Sequence, residues 1–158
     1  MNWSIWQPQE RANLCFIEKD NRLLLIRKKR GLGAGKVNAP GGKIEPGETA
    51  YAAAIRETQE EVGVTPLGLQ QRGELSFQFK DGYSLHCTVF LATDLLGAPI
   101  ETAEADPFWV PLDAIPYAQM WEDDLYWLPL LLAGKTFAGF FTFDGDRMLS
   151  RHVDVNVG

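Results

Sequence analysis

At 158 residues the chain has the length of a single domain and enough material to bury a core. Its composition, 46% hydrophobic and 23% charged, is that of a globular protein, and no apolar run reaches the roughly 18–20 residues of a membrane span. The net charge of −6, from 21 acidic against 15 basic residues, argues against wrapping a nucleic-acid polymer. It suits a phosphate-rich small molecule if a metal supplies the positive charge.

Residues 1–11 read as an extension ahead of one domain over 12–158. Met1–Glu10 has no basic start followed by an apolar stretch, so a signal peptide is not expected and a cytoplasmic protein is. Leu14–Glu18 and Arg22–Arg27 flank the turn Lys19-Asp20-Asn21 and predict a hairpin. A glycine-rich loop follows, from Arg30 to Gly42. A helix is predicted from Thr49 to Val62, stopped by Gly63. Strands near Gly73–Phe79 and Tyr83–Ala92 are joined through Lys80-Asp81-Gly82. Trp109–Pro111 reads as a short strand and Trp121–Leu132 as a second helix, which Pro129 should kink or end. Phe137–Phe143 and Met148–Val155 form a closing hairpin around Asp144-Gly145-Asp146. Strands outnumber the dispersed helices, which predicts a mixed sheet with helices packed on it. Cys15 and Cys87 lack a metal or disulfide spacing and read as reduced core thiols.

The first helix carries the most chemistry. At about 100° per residue, Tyr51, Ile55, Thr58 and Val62 share a stripe expected to face the core. Glu57, Glu60 and Glu61 fall together on a neighbouring arc roughly 100° wide, with only alanines beside them. Carboxylates three and four positions apart repel by a few tenths of a kcal/mol per pair. Between Ile44 and Val64 there are five acids and one base, Arg56, and the acids oppose the helix dipole at its C-terminal end. A hard divalent cation would offset this, Mg²⁺ above all, since it takes oxygen ligands and pairs with phosphates. A solvated acidic face is the alternative.

The stretch resembles the Nudix box, Gly-x5-Glu-x7-Arg-Glu-hydrophobic-x-Glu-Glu-x-Gly-hydrophobic. The defined positions are Gly42, Glu48, Arg56, Glu57, Thr58, Glu60, Glu61, Gly63 and Val64, and only Thr58 departs, standing where an aliphatic residue is usual. The resemblance implies an α/β fold, the Nudix α/β/α sandwich with a mixed β-sheet and flanking helices. It implies an enzyme that hydrolyses a diphosphate bond with Mg²⁺, Mn²⁺ being a substitute. By position, Glu57, Glu60 and Glu61 become metal ligands together with the Gly42 carbonyl. Arg56 orients the box glutamates and Glu48 braces the loop. The general base stays open between Glu60 and Glu61.

The resemblance extends, over about residues 12–153, to the MutT-type branch of that family that acts on oxidised purine nucleoside triphosphates. It is carried by Lys28–Lys36, by Asn38 with Gly41-Gly42-Lys43, by Met120–Pro129, and less specifically by Phe77 and Phe79. It implies a base site of Asp123, Asp124 and Asn38 with Trp121 stacking, and adds Asn13, Lys28 and Phe77 to the substrate contacts. Glu104 matches a metal-proximal acid outside the box. Two adjacent carboxyls in an apolar pocket do not both ionise, so one is expected to keep its proton. Leu32, Val37 and Asn13 replace Phe, Trp and Thr of that branch and leave the preferred base open.

The implied activity is cleavage of 8-oxo-dGTP, 2-hydroxy-dATP or a similar nucleotide to monophosphate and pyrophosphate, which would sanitise the nucleotide pool. A monomer with a small nucleotide substrate, no nucleic-acid polymer and no membrane is expected. A Nudix pyrophosphatase acting on ADP-ribose or a dinucleotide, or a non-catalytic nucleotide sensor, is the alternative. Gly31-Leu32-Gly33-Ala34-Gly35-Lys36 is not a phosphate-binding loop: Val37 replaces the required Ser or Thr, and the glycine spacing differs.

Overall fold

The structure, a computed structural model, describes residues 1–156. Its first strand, β1 (Glu10–Lys19), alternates in the period of two that pleated strands impose. Leu14 and Phe16 enter one hydrophobic core, while Cys15 and Ile17 enter another on the opposite face. The strand turns through Asp20-Asn21 into β2 (Arg22–Lys28), but the hairpin pairs only Glu18 with Leu23 and Lys19 with Arg22. The rest of β1 leaves β2 to run parallel to β7 (Ser84–Ala92) and antiparallel to β4 (Gly41–Lys43).

The remaining elements in chain order are β3 (Val37–Asn38), α1 (Ala50–Val62), β5 (Thr65–Leu67), β6 (Gln70–Phe79), β8 (Asp94–Leu96) and β9 (Ala105–Pro111). After these come α2 (Asp124–Leu132), β10 (Thr136–Asp144) and β11 (Arg147–Asn156). The main sheet runs β11-β10-β6-β7-β1-β2-β3, with β4 added to β1 and β9 to β2. It is mixed, since β10 is parallel to β6 and β1 to β7. A small second sheet pairs β5 with β8, two short strands the sequence did not announce.

The helices cover opposite faces of the main sheet. On one face Ala54 and Val62 of α1 close a core with Ile17, Leu24, Ile26 and Phe90. On the other, Trp127, Leu128 and Leu131 of α2 pack with Phe16, Leu75, Val89 and Phe141. The expected α/β/α sandwich is what the chain forms. Pro129 does not end α2, which continues to Leu132. The bond it forgoes is to the carbonyl of Leu125, an exposed residue of the first turn, and the buried side chains of Trp127, Leu128 and Leu131 hold the apolar face in place.

The first nine residues lie along the sheet. The Trp6 indole donates to Gln78 Oε1 at 2.9 Å, and Trp3 packs on both Trp6 and Phe140. Cys15 and Cys87 are free and buried. No helix is long and apolar enough to cross a membrane among the described residues.

Candidate active site

The box helix starts and stops as its sequence prescribes. Thr49 Oγ1 accepts from the Ala52 amide at 3.1 Å, and Gly63 ends the helix at φ 74°, a left-handed conformation suited to glycine. The expected core stripe needs correction: Tyr51 is half exposed, and the buried face is Ala53, Ala54, Thr58, Glu61 and Val62. Helix α1 is therefore rotated so that one of its acids points inward. Thr58 is fully buried and returns its hydroxyl to the Ala54 carbonyl at 2.7 Å, so the one departure from the box is a packed position.

Arg56 organises the acids. Its guanidinium grips Glu48 with Nε at 2.7 Å and Nη2 at 2.9 Å, and Nη1 reaches Glu57 at 2.9 Å and Glu60 at 3.3 Å. Such a two-pronged fork is the strong form of an ion pair. Glu48 also accepts from the Glu45 amide, tying the loop before the helix to the helix itself. The Arg56 hydrogen bonds, then the amide, hold the Glu48 carboxyl down to about 2. Because this folded value lies below the 4.5 of the free group, its stabilising contribution is complete above pH 4.5 and fades as pH falls toward 2. Thermal unfolding of wild type and Glu48→Gln across pH 2–6 should show a Tm gap that narrows in acid; a pH-independent gap would count against this brace.

Glu61 turns the other way, toward the sheet. It is 7% exposed, and its Oε2 accepts from the Gly41 amide at 3.0 Å. Burial raises the carboxyl to about 7 against that amide, with Glu57 and Glu104 adding to the rise and Lys28 opposing it. Glu57 is also raised, chiefly by burial, and its carboxylate fills the space beside Gly42, where a Cβ would come within 2.5–2.8 Å. Glu60 is largely exposed and meets only Arg56. Glu104 pairs with Arg30 at 2.7 Å.

In the segment ahead of β9 the sequence points to Glu104 as part of the site but not to Thr102. Thr102 Oγ1 donates to the Glu61 carbonyl at 2.6 Å and accepts from the Glu104 amide at 3.2 Å, linking the helix end to the outlying acid. The lone threonine carried no sequence signal for this.

These groups suit a divalent cation in chemistry. The donors are hard oxygens, and two half-buried or buried carboxyls lie where burial and mutual repulsion make positive charge favourable. Among the described residues no three acidic, histidine or cysteine side chains gather closely enough to close a cage. An open partial set is what Mg²⁺ uses, since it keeps waters and takes substrate phosphate oxygens.

A cavity of about 130 Å³ opens beside this acidic group. All of the expected substrate residues line it: Asn13, Lys28, Asn38 and Phe77, then Trp121, Asp123 and Asp124. Gly42 and Glu61 line it too, whereas Arg56, Glu57, Glu60 and Glu104 stand behind or outside its wall. Trp121 is held edge-on by Phe79 and Phe143.

Asp123 and Asp124 are nearly inaccessible. Trp127, one turn along α2, donates its indole N–H to Asp123 Oδ2 at 2.7 Å. Burial raises Asp123 to about 6 despite this bond, and it raises Asp124 well above the usual carboxylate range, with the Asp123 charge adding to the effect. The buried pair therefore holds on to a proton. Asp123 Oδ1, Asp124 Oδ2 and both ends of the Asn13 amide have no protein partner. Buried polar atoms without partners are costly, so these mark where a ligand or water must bond. In the sequence Trp127 is marked only as part of a helix, its spacing of four from Asp123 being the one clue to this bond.

A NUDIX domain profile matches residues 8–131. The chain is 42% identical over 140 residues to the oxidized purine nucleoside triphosphate hydrolase of Danio rerio, covering 88% of this chain and 90% of that protein. It is 44% identical over 146 residues to the enzyme of the same name from Mus musculus, covering 89% and 94%. Among solved structures, the mutator MutT protein from Bacillus halodurans superimposes with a TM-score of 0.83 at 27% identity, over 92% of this chain and 97% of that one.

Proposed function

Since this chain belongs to the Nudix hydrolase family, we propose that it hydrolyses oxidised purine nucleoside triphosphates to monophosphate and pyrophosphate with Mg²⁺ as cofactor. One observation carries the reading: a single cavity has a hydrogen-bonding aspartate pair together with Gly42 and Glu61 of the metal-binding box. A purine edge suits the first and a phosphate chain the second. The relatives that match over most of their length are named for that substrate class.

In the proposed complex Trp121 stacks on the base, and ionised Asp123 accepts a proton from the base edge. Protonated Asp124 donates to a neighbouring acceptor, and Asn38 adds an amide. Lys28 offsets phosphate charge. Glu57, Glu60 and Glu61 with the Gly42 carbonyl would hold the divalent ion, with Glu104 nearby; its chemistry is to neutralise phosphate charge and acidify bound water. Glu61 is the better general base, because Glu60 lies outside the cavity. Its Oε2 is engaged by Gly41, which leaves Oε1 to take the proton of the attacking water. The water oxygen bonds to phosphorus as the bridging P–O bond breaks and pyrophosphate departs.

The test is pyrophosphate release from 8-oxo-dGTP, 2-hydroxy-dATP, dGTP and dATP in Mg²⁺. Release favouring the oxidised pair supports the reading; no release, or equal rates on normal nucleotides, defeats the sanitising role. Two phosphorylated halves from ADP-ribose with no triphosphate activity would replace it. Within the same assay the two aspartates should behave unequally. Asp123→Asn removes an acceptor and should lower kcat/KM by about 10- to 100-fold, the cost of a buried unpaired group. Asp124→Asn keeps a donor and should lose less. Equal losses would sink the assignment of the proton.

A further inference from the structure

The glycine-rich loop before β3 lacks a phosphate-binding spacing and lies outside the box, yet it is tied closely to Trp121. Its ends are fastened: Lys28 N donates to the Lys36 carbonyl at 3.0 Å and Gly35 N to the Lys28 carbonyl at 2.7 Å. Its tip, Gly31 to Ala34, is held by two turn hydrogen bonds, from Ala34 N to the Gly31 carbonyl at 3.1 Å and from Lys36 N to the Gly33 carbonyl at 2.9 Å. Leu32, at that tip, lines the cavity while remaining 47% exposed. Gly33 rests on the edge of Trp121; a Cβ there would stand 2.6 Å from the indole nitrogen, at a φ of +78° that disfavours any side chain.

Lys36 joins three parts at this point. Its ammonium lies 5.3 Å from the Trp121 ring centroid, within cation–π range. It also pairs at 3.3 Å with Asp146, in the turn between β10 and β11. Lys36 does not itself line the cavity, whereas Trp121 does. The ion pair alone contributes little, because Asp146 is largely exposed. Its consequence is geometric: it holds the ammonium near the indole and anchors the loop to the β10–β11 hairpin.

We infer that Lys36 is a positioning residue for the base slot, latching the glycine loop and the β10–β11 turn onto Trp121 so that Trp121 and Leu32 keep their places in the cavity wall. The inference rests on the proposal that the cavity receives a purine. A latch that shapes the slot acts on ground-state and transition-state binding alike. Its loss therefore appears in KM and in product affinity, with kcat nearly preserved. An arginine at the same position stacks on indole and pairs with a carboxylate, so it restores the latch.

The experiment compares wild type, Lys36→Ala, Lys36→Arg and Gly33→Ala by steady-state hydrolysis of 8-oxo-dGTP, by calorimetric binding of 8-oxo-dGMP without metal, and by hydrogen exchange of amides 31–35. Lys36→Ala and Gly33→Ala should raise KM and the monophosphate Kd by about 3- to 30-fold. Exchange in the loop should quicken, and Lys36→Arg should restore wild-type values. A Lys36→Ala loss confined to kcat, a loss that arginine does not repair, or unchanged affinity with unchanged exchange would each overturn the latch. A wild type that binds no purine monophosphate defeats the functional reading instead. Loop exchange then judges the latch by itself, faster in Lys36→Ala supporting it and unchanged refuting it.

Discussion

Glu61→Gln is expected to lower kcat for triphosphate hydrolysis by about 10²- to 10⁴-fold, the range for removing a positioned general base. The loss should fall mainly on kcat rather than KM, because the proposed contacts to the purine are untouched. The fold should survive, since the amide oxygen of glutamine can still accept from Gly41 N as Oε2 does at 3.0 Å. Glu60→Gln is the informative contrast. Glu60 meets only Arg56, at 3.3 Å, and lies outside the cavity, so its loss should cost far less than that of Glu61. The check is single-turnover pyrophosphate release for both variants, with circular dichroism to verify folding. Equal defects would mean that neither carboxylate has a proton-transfer role beyond holding the metal. A Glu61→Gln enzyme with wild-type kcat would remove Glu61 from the chemistry.

The helix that carries these residues was readable because its signals are local. Thr49, Gly63 and the acid spacing all act within a few residues of one another, and the structure keeps them. The core-facing stripe was misread for a related reason. A helical wheel assigns burial to the largest apolar residues, but α1 packs through Ala53 and Ala54, and the tertiary contact with Gly41 turns Glu61 inward. Tyr51 is left half exposed. Strand pairing shows the same divide. The β10–β11 hairpin has a Gly-containing turn to announce it, whereas the parallel pairs β1–β7 and β6–β10 join segments with no turn between them. The β1–β2 hairpin was half right: its turn exists, but β1 gains more by pairing with β7 and β4, so the hairpin closes over two residue pairs only. At the site, Asp123 and Asp124 stood out only through resemblance, because acids at a helix start are common. What distinguishes them is the lack of solvent, a property of the whole packed core.

The glycine pair before the helix joins these threads, and Gly41→Ala is expected to have a large effect on both stability and turnover. A Cβ at Gly41 would lie 2.1 Å from the Asn13 carbonyl oxygen and 3.0 Å from the Leu14 Cα. Both atoms are backbone, in the strand that β4 pairs with, so no rotamer change relieves the overlap. The strands must part. Parting them strains the Cys15 N to Pro40 carbonyl bond of 2.7 Å and the Gly41 N to Glu61 bond, which loosens the general base and the box loop together. Overpacking of this kind costs about 1–3 kcal/mol. A displacement near 1 Å at the reacting groups costs on the order of 10²-fold in rate. Gly82→Ala is the control: it sits at φ +101°, but no atom lies within 4 Å of its added Cβ. It should therefore show the cost of a strained φ without the clash, and should leave kcat alone. Gly41 has no left-handed φ, so urea unfolding and kcat measured on both variants set the cost of the clash at Gly41 against that of a strained backbone at Gly82. If Gly41→Ala matched wild type in both, the β1–β4 register would be wrong and the placement of Glu61 against the cavity would lose its support.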